Sequence, residues 1–206
     1  MIVALNNKSN LEKEEFINIF DVDRLSTSPA AFDAKKLEWI NNTYVKAASL
    51  DEIVDLSLPH LQEAGLIDGE PDKKEIEWAR KLVSLYHDEM SYGAQIVDLS
   101  NLFFNEDLHI DDASKEELSQ DTATVVIDAM AEKLEGLSDT EFVSENIKPL
   151  TKEIQKETGI KGRKLFMPIR IAVSGQMHGP DLPSVIEVLG KEKALNHIKQ
   201  VKAQMN

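Results

Sequence analysis

The chain reads GRKLFMPIRIAVSGQMHGP over residues 162–180 and DLPSVIEVLGKEKALNHIKQ over residues 181–200, two apolar stretches joined by a glycine-rich turn. Pro168 is suited to the first turn of a helix, where a missing N–H is tolerated, and Gly175 is suited to end that helix. We therefore expect a short helix that starts at Pro168 and ends at Gly175, with the preceding basic and apolar residues outside it.

The turn after this helix is the most distinctive part of the sequence. Gly179 and Pro180 predict a tight connection into a second helix that starts near Asp181. Leu182 belongs to an apolar stripe that needs burial, whereas Arg170 does not, so we expect Arg170 to be at least partly exposed. A glycine that admits close approach and a nearby arginine can together receive unstacked bases and phosphates. A proline-bounded turn packed in a core is the alternative.

Helix signals recur along the rest of the chain. A serine followed three residues later by a glutamate predicts a capping box at three helix starts: Ser49 with Glu52, Ser114 with Glu117, and Ser138 with Glu141. Apolar spacings of three and four predict one stripe on each of two helices: Leu37, Ile40, Tyr44 and Val45, then Ile76, Ala79, Leu82, Val83 and Tyr86. No alternating β-branched runs are joined by a hairpin turn. The predicted fold class is all-α.

Two turn-rich stretches divide the chain, STSPAAFD at residues 26–33 and NEDLHIDDA at residues 105–113. They predict a short N-terminal piece, residues 1–48, a first helical domain, residues 49–112, and a second helical domain, residues 113–206.

Charge is segregated along the 206 residues, whose formal net charge is −14. Residues 1–147 hold 12 Lys and Arg against 32 Asp and Glu, and residues 148–206 hold 11 against 5. The basic part begins with seven cations that face only Glu153 and Glu157: Lys148, Lys152, Lys156, Lys161, Arg163, Lys164 and Arg170. This asymmetry permits a phosphate-binding surface in the basic part, and a solvated helix face is the alternative.

Several kinds of catalytic site are excluded or disfavoured. The chain has no cysteine, none of its five histidines lies within four residues of another, and no glycine-rich phosphate loop is present. We expect no catalytic residue, no metal site and no cofactor on this chain, and binding rather than catalysis. The opening residues do not form a secretory signal and no apolar run is long enough to span a membrane, so we expect a cytoplasmic protein without membrane contact.

Three stretches resemble bacterial glutamyl-tRNA synthetases. The block quoted first resembles their C-terminal signature: P-x-R before a small-residue helix, G-x-x-x-G-P, an apolar helix and LGKEKAL. SPAAFDAKKLEWINNTY, residues 28–44, resembles the stretch that follows their catalytic half. EWARKLVSLYHDEMSYGAQIVDLSNLFF, residues 77–104, is similar to their first anticodon-binding helical domain. The order of the three matches is that of the family.

The resemblance implies the C-terminal half of a class I ligase that attaches glutamate to tRNA using ATP. That half folds as two helical anticodon-binding domains, a bundle or helical cage, with residues 1–48 as a remnant of the stem-contact region. ATP and Mg are expected only on the other half, whose HIGH-like and KMSKS-like motifs are not in this sequence. This chain alone is therefore expected to be an inactive monomer that binds tRNA-Glu and no DNA. The alternative is an acidic helical module that docks a basic protein.

The predicted RNA-binding residues are six: Arg163 and Lys164 from the basic stretch, and Arg170, Gly179, Pro180 and Leu182 from the block that carries the resemblance. Among them Arg170, Gly179 and Leu182 fall where family members contact the anticodon, and Pro180 holds the turn. Because position 179 is a glycine, a contact there uses the backbone.

The resemblance also bears on how the third anticodon base is recognised. Family members strict for tRNA-Glu place an arginine late in the first anticodon-domain helix, where its planar fork checks that base. Here the corresponding residues 86–93 read YHDEMSYG, without an arginine, and Arg80 lies about 9 Å or more earlier along the helix. We hypothesise that the parent enzyme is non-discriminating and also charges tRNA-Gln.

Overall fold

The computed structural model describes residues 13–24 and 32–205, and every regular element within these ranges is helical. The all-α fold class is confirmed. A 3-10 turn lies at Val22–Arg24. The helices, in chain order, are α1 (Lys13–Ile19), α2 (Ala34–Ala47), α3 (Leu50–Glu63), α4 (Lys73–Tyr86), α5 (Gln95–Leu99), α6 (Asn101–Phe104), α7 (Asp112–Leu118), α8 (Ala123–Gly136), α9 (Ser144–Ile147), α10 (Leu150–Thr158), α11 (Arg163–Ser174), α12 (Leu182–Leu189) and α13 (Lys191–Met205). Most of the predicted 26–33 break lies outside the described residues.

The helices from α2 onward share one apolar core, whereas α1 buries no residue. Helix α11 lies at its centre, packed against α8 and α13, while α3 packs on α4 and α12 contacts α4, α9 and α13. The buried apolar cluster is continuous from Val45 to Val201, so packing alone does not divide the chain at residues 112–113. That domain boundary stays a prediction.

Specific polar contacts tie the two predicted helical domains together. The Trp78 indole N–H on α4 donates to the Val188 carbonyl at 2.9 Å. Lys81, one turn further along α4, pairs with the Glu187 carboxylate at 2.7 Å, and the same carboxylate accepts from the Ser144 backbone N–H at 2.8 Å. Helix α4 is therefore fixed against α12, which positions the end of α4 beside the α11–α12 turn.

The first two predicted capping boxes have different outcomes. The Ser49 box is present at the start of α3: the Ser49 hydroxyl accepts from the Glu52 backbone N–H, and the Glu52 carboxylate accepts from the Ser49 backbone N–H. The predicted Ser114 cap is wrong, because Asp111 caps α7 by accepting from the Ser114 N–H at 2.7 Å. The start therefore moves three residues upstream, which releases Glu117 for another contact.

Only one half of the third predicted box forms, and no helix starts there. Ser138 donates its N–H to the Glu141 carboxylate at 3.0 Å, as in a capping box. The chain then turns so that Phe142 is buried, and α9 begins only at Ser144. The Glu141 N–H donates to the Ser138 carbonyl rather than to its hydroxyl, so the predicted helix start at Ser138 is wrong.

The predicted helix start at Pro168 is also wrong. Helix α11 begins at Arg163, and Pro168 lies buried inside it. Leu165 and Ile169, one turn apart, are both fully buried, so extending the helix backward brings an additional apolar residue into the core. The predicted end at Gly175 is confirmed.

Helix α2 buries fewer residues of its apolar stripe than the spacing predicts. Val45 is buried, whereas Leu37 and Tyr44 are about half exposed. The helix is held instead by a polar contact, in which the Asn42 side-chain amide donates to the Met90 carbonyl at 2.7 Å. The periodicity predicted the helix, and its packing partners decided which face is covered.

Candidate functional site

A cleft of about 300 Å³ opens where the end of α4 and helices α5 and α6 meet the α11–α12 turn. We refer to it below as the cleft. Polar side chains from both predicted helical domains line it: Glu89, Asp98, Asn101, Arg170, Gln176 and His178. Gly179 and Pro180 form the rim on the side of the turn.

Arg170 is the cation of the cleft and is partly exposed, as predicted. One guanidinium nitrogen, Nη2, donates to the Pro180 carbonyl at 3.0 Å, which fixes the arginine against the turn. Burial lowers the pKa of Arg170, and the nearby Asp181 carboxylate opposes that shift. An arginine keeps its charge at neutral pH despite such a shift, so the guanidinium presents a positively charged fork to the cleft.

The end of α11 is held by close backbone contacts. The Ser174 hydroxyl donates to the Arg170 carbonyl at 2.8 Å. Gly175 adopts a φ of +69°, and a Cβ there would lie 2.7 Å from the His109 carbonyl oxygen. The 105–113 segment therefore lies directly against the helix end, and only a glycine fits between them.

Gly179 is required by conformation rather than by lack of space. Its φ is +144°, which side chains rarely adopt, and a Cβ there would lie 3.6 Å from the Arg170 Nη1 atom. The guanidinium thus occupies the side of the turn toward which a residue-179 side chain would point. Gly179 and Pro180 lie at the rim of the cleft. That a contact at position 179 uses the backbone stays a prediction.

The structure brings together three of the six predicted RNA-binding residues. Arg170, Gly179 and Pro180 line the cleft. Leu182 is buried in the core at the first turn of α12, and its exposed fraction is 7%. Lys164 is exposed at the opposite end of α11 from the cleft. The role of each as an RNA contact stays a prediction.

Arg163 has a partner that the sequence did not reveal. Its guanidinium forms a two-pronged ion pair with Glu117, with Nε–Oε2 and Nη2–Oε2 distances of 3.1 and 2.9 Å. This pairing raises the pKa of Arg163. Glu117 is nearly buried, so the pair joins α7 to α11 and Arg163 is not free to the same degree as Lys164.

Acidic side chains distinguish the cleft from an ordinary phosphate site. Glu89 and Asp98 line the cleft together with its single arginine, Arg170. Carboxylates repel phosphate but accept hydrogen bonds from base amino groups, and Asn, Gln and Arg side chains read the edges of bases. The arrangement therefore suits neutral, hydrogen-bonding groups better than a polyanionic backbone.

The 86–93 stretch, for which the resemblance implied a role at the third anticodon base, also reaches the cleft. Tyr86 and Glu89 line it. Burial raises the pKa of Tyr86 to about 12, so its hydroxyl stays protonated at neutral pH. Arg80 forms an ion pair with Asp51 and does not line the cleft. Among the described residues, the cleft therefore has no arginine from α4.

Among the polar side chains of the cleft, sequence reasoning missed Asp98, Asn101, Gln176 and His178. Gln176 and His178 lie in the turn between Gly175 and Gly179, and their polar character between two glycines was the available signal. Asp98 and Asn101 carried no local signal, because packing alone brings α5 and α6 to the turn.

The described residues contain no group of three or more His, Asp or Glu side chains placed to hold a metal ion. In the same part of the chain, no helix is both long enough and apolar enough to span a membrane.

Curated relatives match most of this chain. It is 53% identical over 189 residues to a glutamate–tRNA ligase of Bacillus subtilis (strain 168), an alignment that covers 92% of this chain and 39% of the relative. It is also 53% identical over 194 residues to a glutamate–tRNA ligase of Ligilactobacillus salivarius, covering 94% of this chain and 39% of that protein. The chain thus spans about two fifths of the length of these relatives.

A solved structure has the same arrangement of helices. The crystal structure of a glutamate tRNA ligase from Elizabethkingia meningosepticum in complex with its amino acid superposes with a TM-score of 0.79 at 24% identity. The superposition covers 97% of this chain and 38% of that one, and it supports the fold alone.

The sequence profile of one family matches three quarters of the chain. Residues 52–202, from α3 to α13, match the anticodon binding domain. The match includes the end of α4, helices α5 and α6 and the whole α11–α12 turn, which are all the elements that line the cleft. The chain therefore belongs to the anticodon binding domain family.

Proposed function

We propose that this chain recognises the anticodon of a tRNA and is the RNA-recognition portion of a glutamate–tRNA ligase. The observation that carries the proposal is the cleft, where Arg170, Gly179 and Pro180 meet polar side chains of α4 to α6 within the family match. The similarity to the glutamate–tRNA ligases supports the choice of ligase.

In this proposal the cleft binds unstacked anticodon bases. The Arg170 fork donates to a base edge, while Asn101 and Gln176 offer both donors and acceptors. Glu89 and Asp98 accept from base amino groups and disfavour a phosphate in the same place. Single-stranded loops are the parts of RNA whose bases are open to such readout.

The rest of the ligation reaction is assigned to the part of the relatives that this chain does not span. ATP and Mg bind there in this proposal, and glutamate is activated there. We expect the 206-residue chain alone to show no pyrophosphate exchange and no aminoacylation. We further propose a cytoplasmic monomer whose partners are tRNA-Glu and tRNA-Gln and which binds no DNA.

Gel shifts of the chain with tRNA-Glu and with anticodon-substituted tRNA-Glu test the proposal. We expect binding that weakens steeply with salt and that is weaker for at least one anticodon substitution. Equal affinity for every anticodon would contradict anticodon recognition. If no tRNA binds at low salt, the acidic protein-docking module becomes the better hypothesis.

A further inference from the structure

Helix α10 separates its charges between two faces. Leu150 and Ile154 point into the core, and the acidic side chains Glu153 and Glu157 follow on the edge toward α8. There both carboxylates bind the Lys133 ammonium group, at 3.1 and 2.8 Å. These ion pairs raise the pKa of Lys133. The only two acids of the 148–170 segment are therefore already paired with a lysine from another helix.

The lysines of this region are left without partners. Lys152 and Lys156 are four residues apart on the outer face of α10, about 6 Å along its axis. We call the following five residues the lysine surface: Lys148, Lys152, Lys156, Lys161 and Lys164. All five are exposed, and within the described residues none has a side-chain hydrogen bond or ion pair.

Several other basic residues of the same half have side-chain partners. Arg163 pairs with Glu117, and Lys191 donates to the Leu137 carbonyl at 2.6 Å. Lys193 donates to the Phe103 carbonyl at 3.0 Å. Structural roles therefore account for these cations but not for the lysine surface, which concentrates unpaired positive charge in a chain of net charge −14.

The backbone beside these lysines is open. Gly159 and Gly162 flank Lys161 in the α10–α11 turn, and each has a positive φ. A Cβ built at either position would meet nothing within 4 Å. A ligand strand can thus approach the main chain closely at the same place where the lysine side chains are free.

We propose that the lysine surface binds the phosphodiester backbone of RNA, whereas the cleft binds bases. The inference rests on the proposed function in one respect, that the RNA is the same tRNA. Charge complementarity selects a polyanion as the occupant, and the acidic cleft at the other end of α11 is unsuited to bind the phosphates itself. Contacts to the backbone fix orientation without reading sequence.

The test replaces four of the five lysines in the full chain: Lys152→Ala, Lys156→Ala, Lys161→Ala and Lys164→Ala. A matched control removes the same charge from four other exposed lysines without a side-chain partner in the described residues: Lys35→Ala, Lys46→Ala, Lys73→Ala and Lys199→Ala. Affinities are measured by fluorescence anisotropy between about 50 and 200 mM KCl. The probes are tRNA-Glu, anticodon-substituted tRNA-Glu and a short blunt RNA duplex.

The lysine-surface variant is expected to lose roughly tenfold or more in affinity at about 100 mM salt, equally for both tRNAs. Its slope of log affinity against log salt should fall by about 3, since each phosphate contact contributes about 0.7–0.9. The control variant should change the slope by less than about 1. Wild-type chain should bind the duplex at low salt, and the lysine-surface variant should not.

Three results would overturn the inference: a wild-type salt slope in the lysine-surface variant, equal losses in both variants, or binding to phosphatidylserine vesicles without binding to RNA. Failure of the proposed function would give a different result. If the chain does not recognise the anticodon, wild type binds tRNA-Glu and anticodon-substituted tRNA-Glu equally, while the lysine-surface and control variants still differ in their salt slopes.

Discussion

The cleft and the lysine surface lie at opposite ends of helix α11 and are built in opposite ways. At the cleft end, Gly175 lies so close to His109 that a Cβ would meet its carbonyl at 2.7 Å. At the other end, Gly159 and Gly162 have open space above them, and the five lysines have no side-chain partner within the described residues. The cleft therefore depends on long-range packing, and the lysine surface depends on local helix periodicity.

The largest difference should appear in stability. Gly175→Ala combines a left-handed conformation with a backbone clash, so we expect it to lower the free energy of unfolding by roughly 3 kcal/mol or more. Gly159→Ala is the matched control, because its φ is +72° but nothing lies within 4 Å, and it should cost about 1 kcal/mol. Denaturant unfolding measures both. Equal losses would show that close packing at His109 does not determine the cleft wall.

The next difference concerns RNA affinity. Arg170→Ala should weaken tRNA-Glu binding by about 1–3 kcal/mol and relax discrimination at one anticodon position, because a paired contact to a base edge is lost. Lys156→Ala should act mildly and equally on all anticodon variants, because a phosphate contact carries no sequence information. Binding titrations against the anticodon series measure both. If the two substitutions behave alike across the series, base readout is wrongly assigned to Arg170.

Acid should destabilise the packed end of α11 through His197. The His197 Nδ1 atom lies 2.7 Å from the Val173 carbonyl, and its buried Nε2 has no partner in the described residues. Burial lowers the pKa of His197, with smaller opposing effects from the Val173 carbonyl and Glu106 and a further lowering by Lys193.

A histidine in the unfolded chain has a pKa of about 6.5, so the stabilising contribution of the neutral, buried His197 is complete above that pH. It is lost as the pH falls below it, with a slope of at most about 1.4 kcal/mol per pH unit for one proton. Unfolding at a series of pH values should show a flatter profile for His197→Gln than for wild type. Identical profiles would mean that His197 does not titrate differently in the folded and unfolded chain.

The smallest expected difference is between two tRNAs. Because no arginine of α4 lines the cleft in the described residues, the chain should bind tRNA-Glu and tRNA-Gln within about tenfold of each other, which is about 1.4 kcal/mol. Competition binding measures the ratio. A preference of about a hundredfold for tRNA-Glu, about 2.7 kcal/mol, would reject the non-discriminating hypothesis.

Local sequence features predicted much of the fold and part of the site. The helical class, the Ser49 cap, the helix end at Gly175 and the exposure of Arg170 are all confirmed. The starts proposed at Ser114 and Pro168 are wrong, because a stronger cap at Asp111 and the burial of Leu165 shifted them. Which of two neighbouring helix starts is used depends on packing energies, and residue spacing in the sequence does not reveal those energies.

The sequence by itself determined the helical periodicity, the segregation of charge and the glycine turn beside Arg170. These features depend on residues within a few positions of one another, where capping and side-chain spacing act. Only the tertiary structure decided that Asp98 and Asn101 line the same cleft as Arg170, that Glu117 pairs with Arg163, and that Lys133 pairs with Glu153 and Glu157. Each of these contacts joins helices distant in sequence, so it exists only once the shared core fixes how those helices pack.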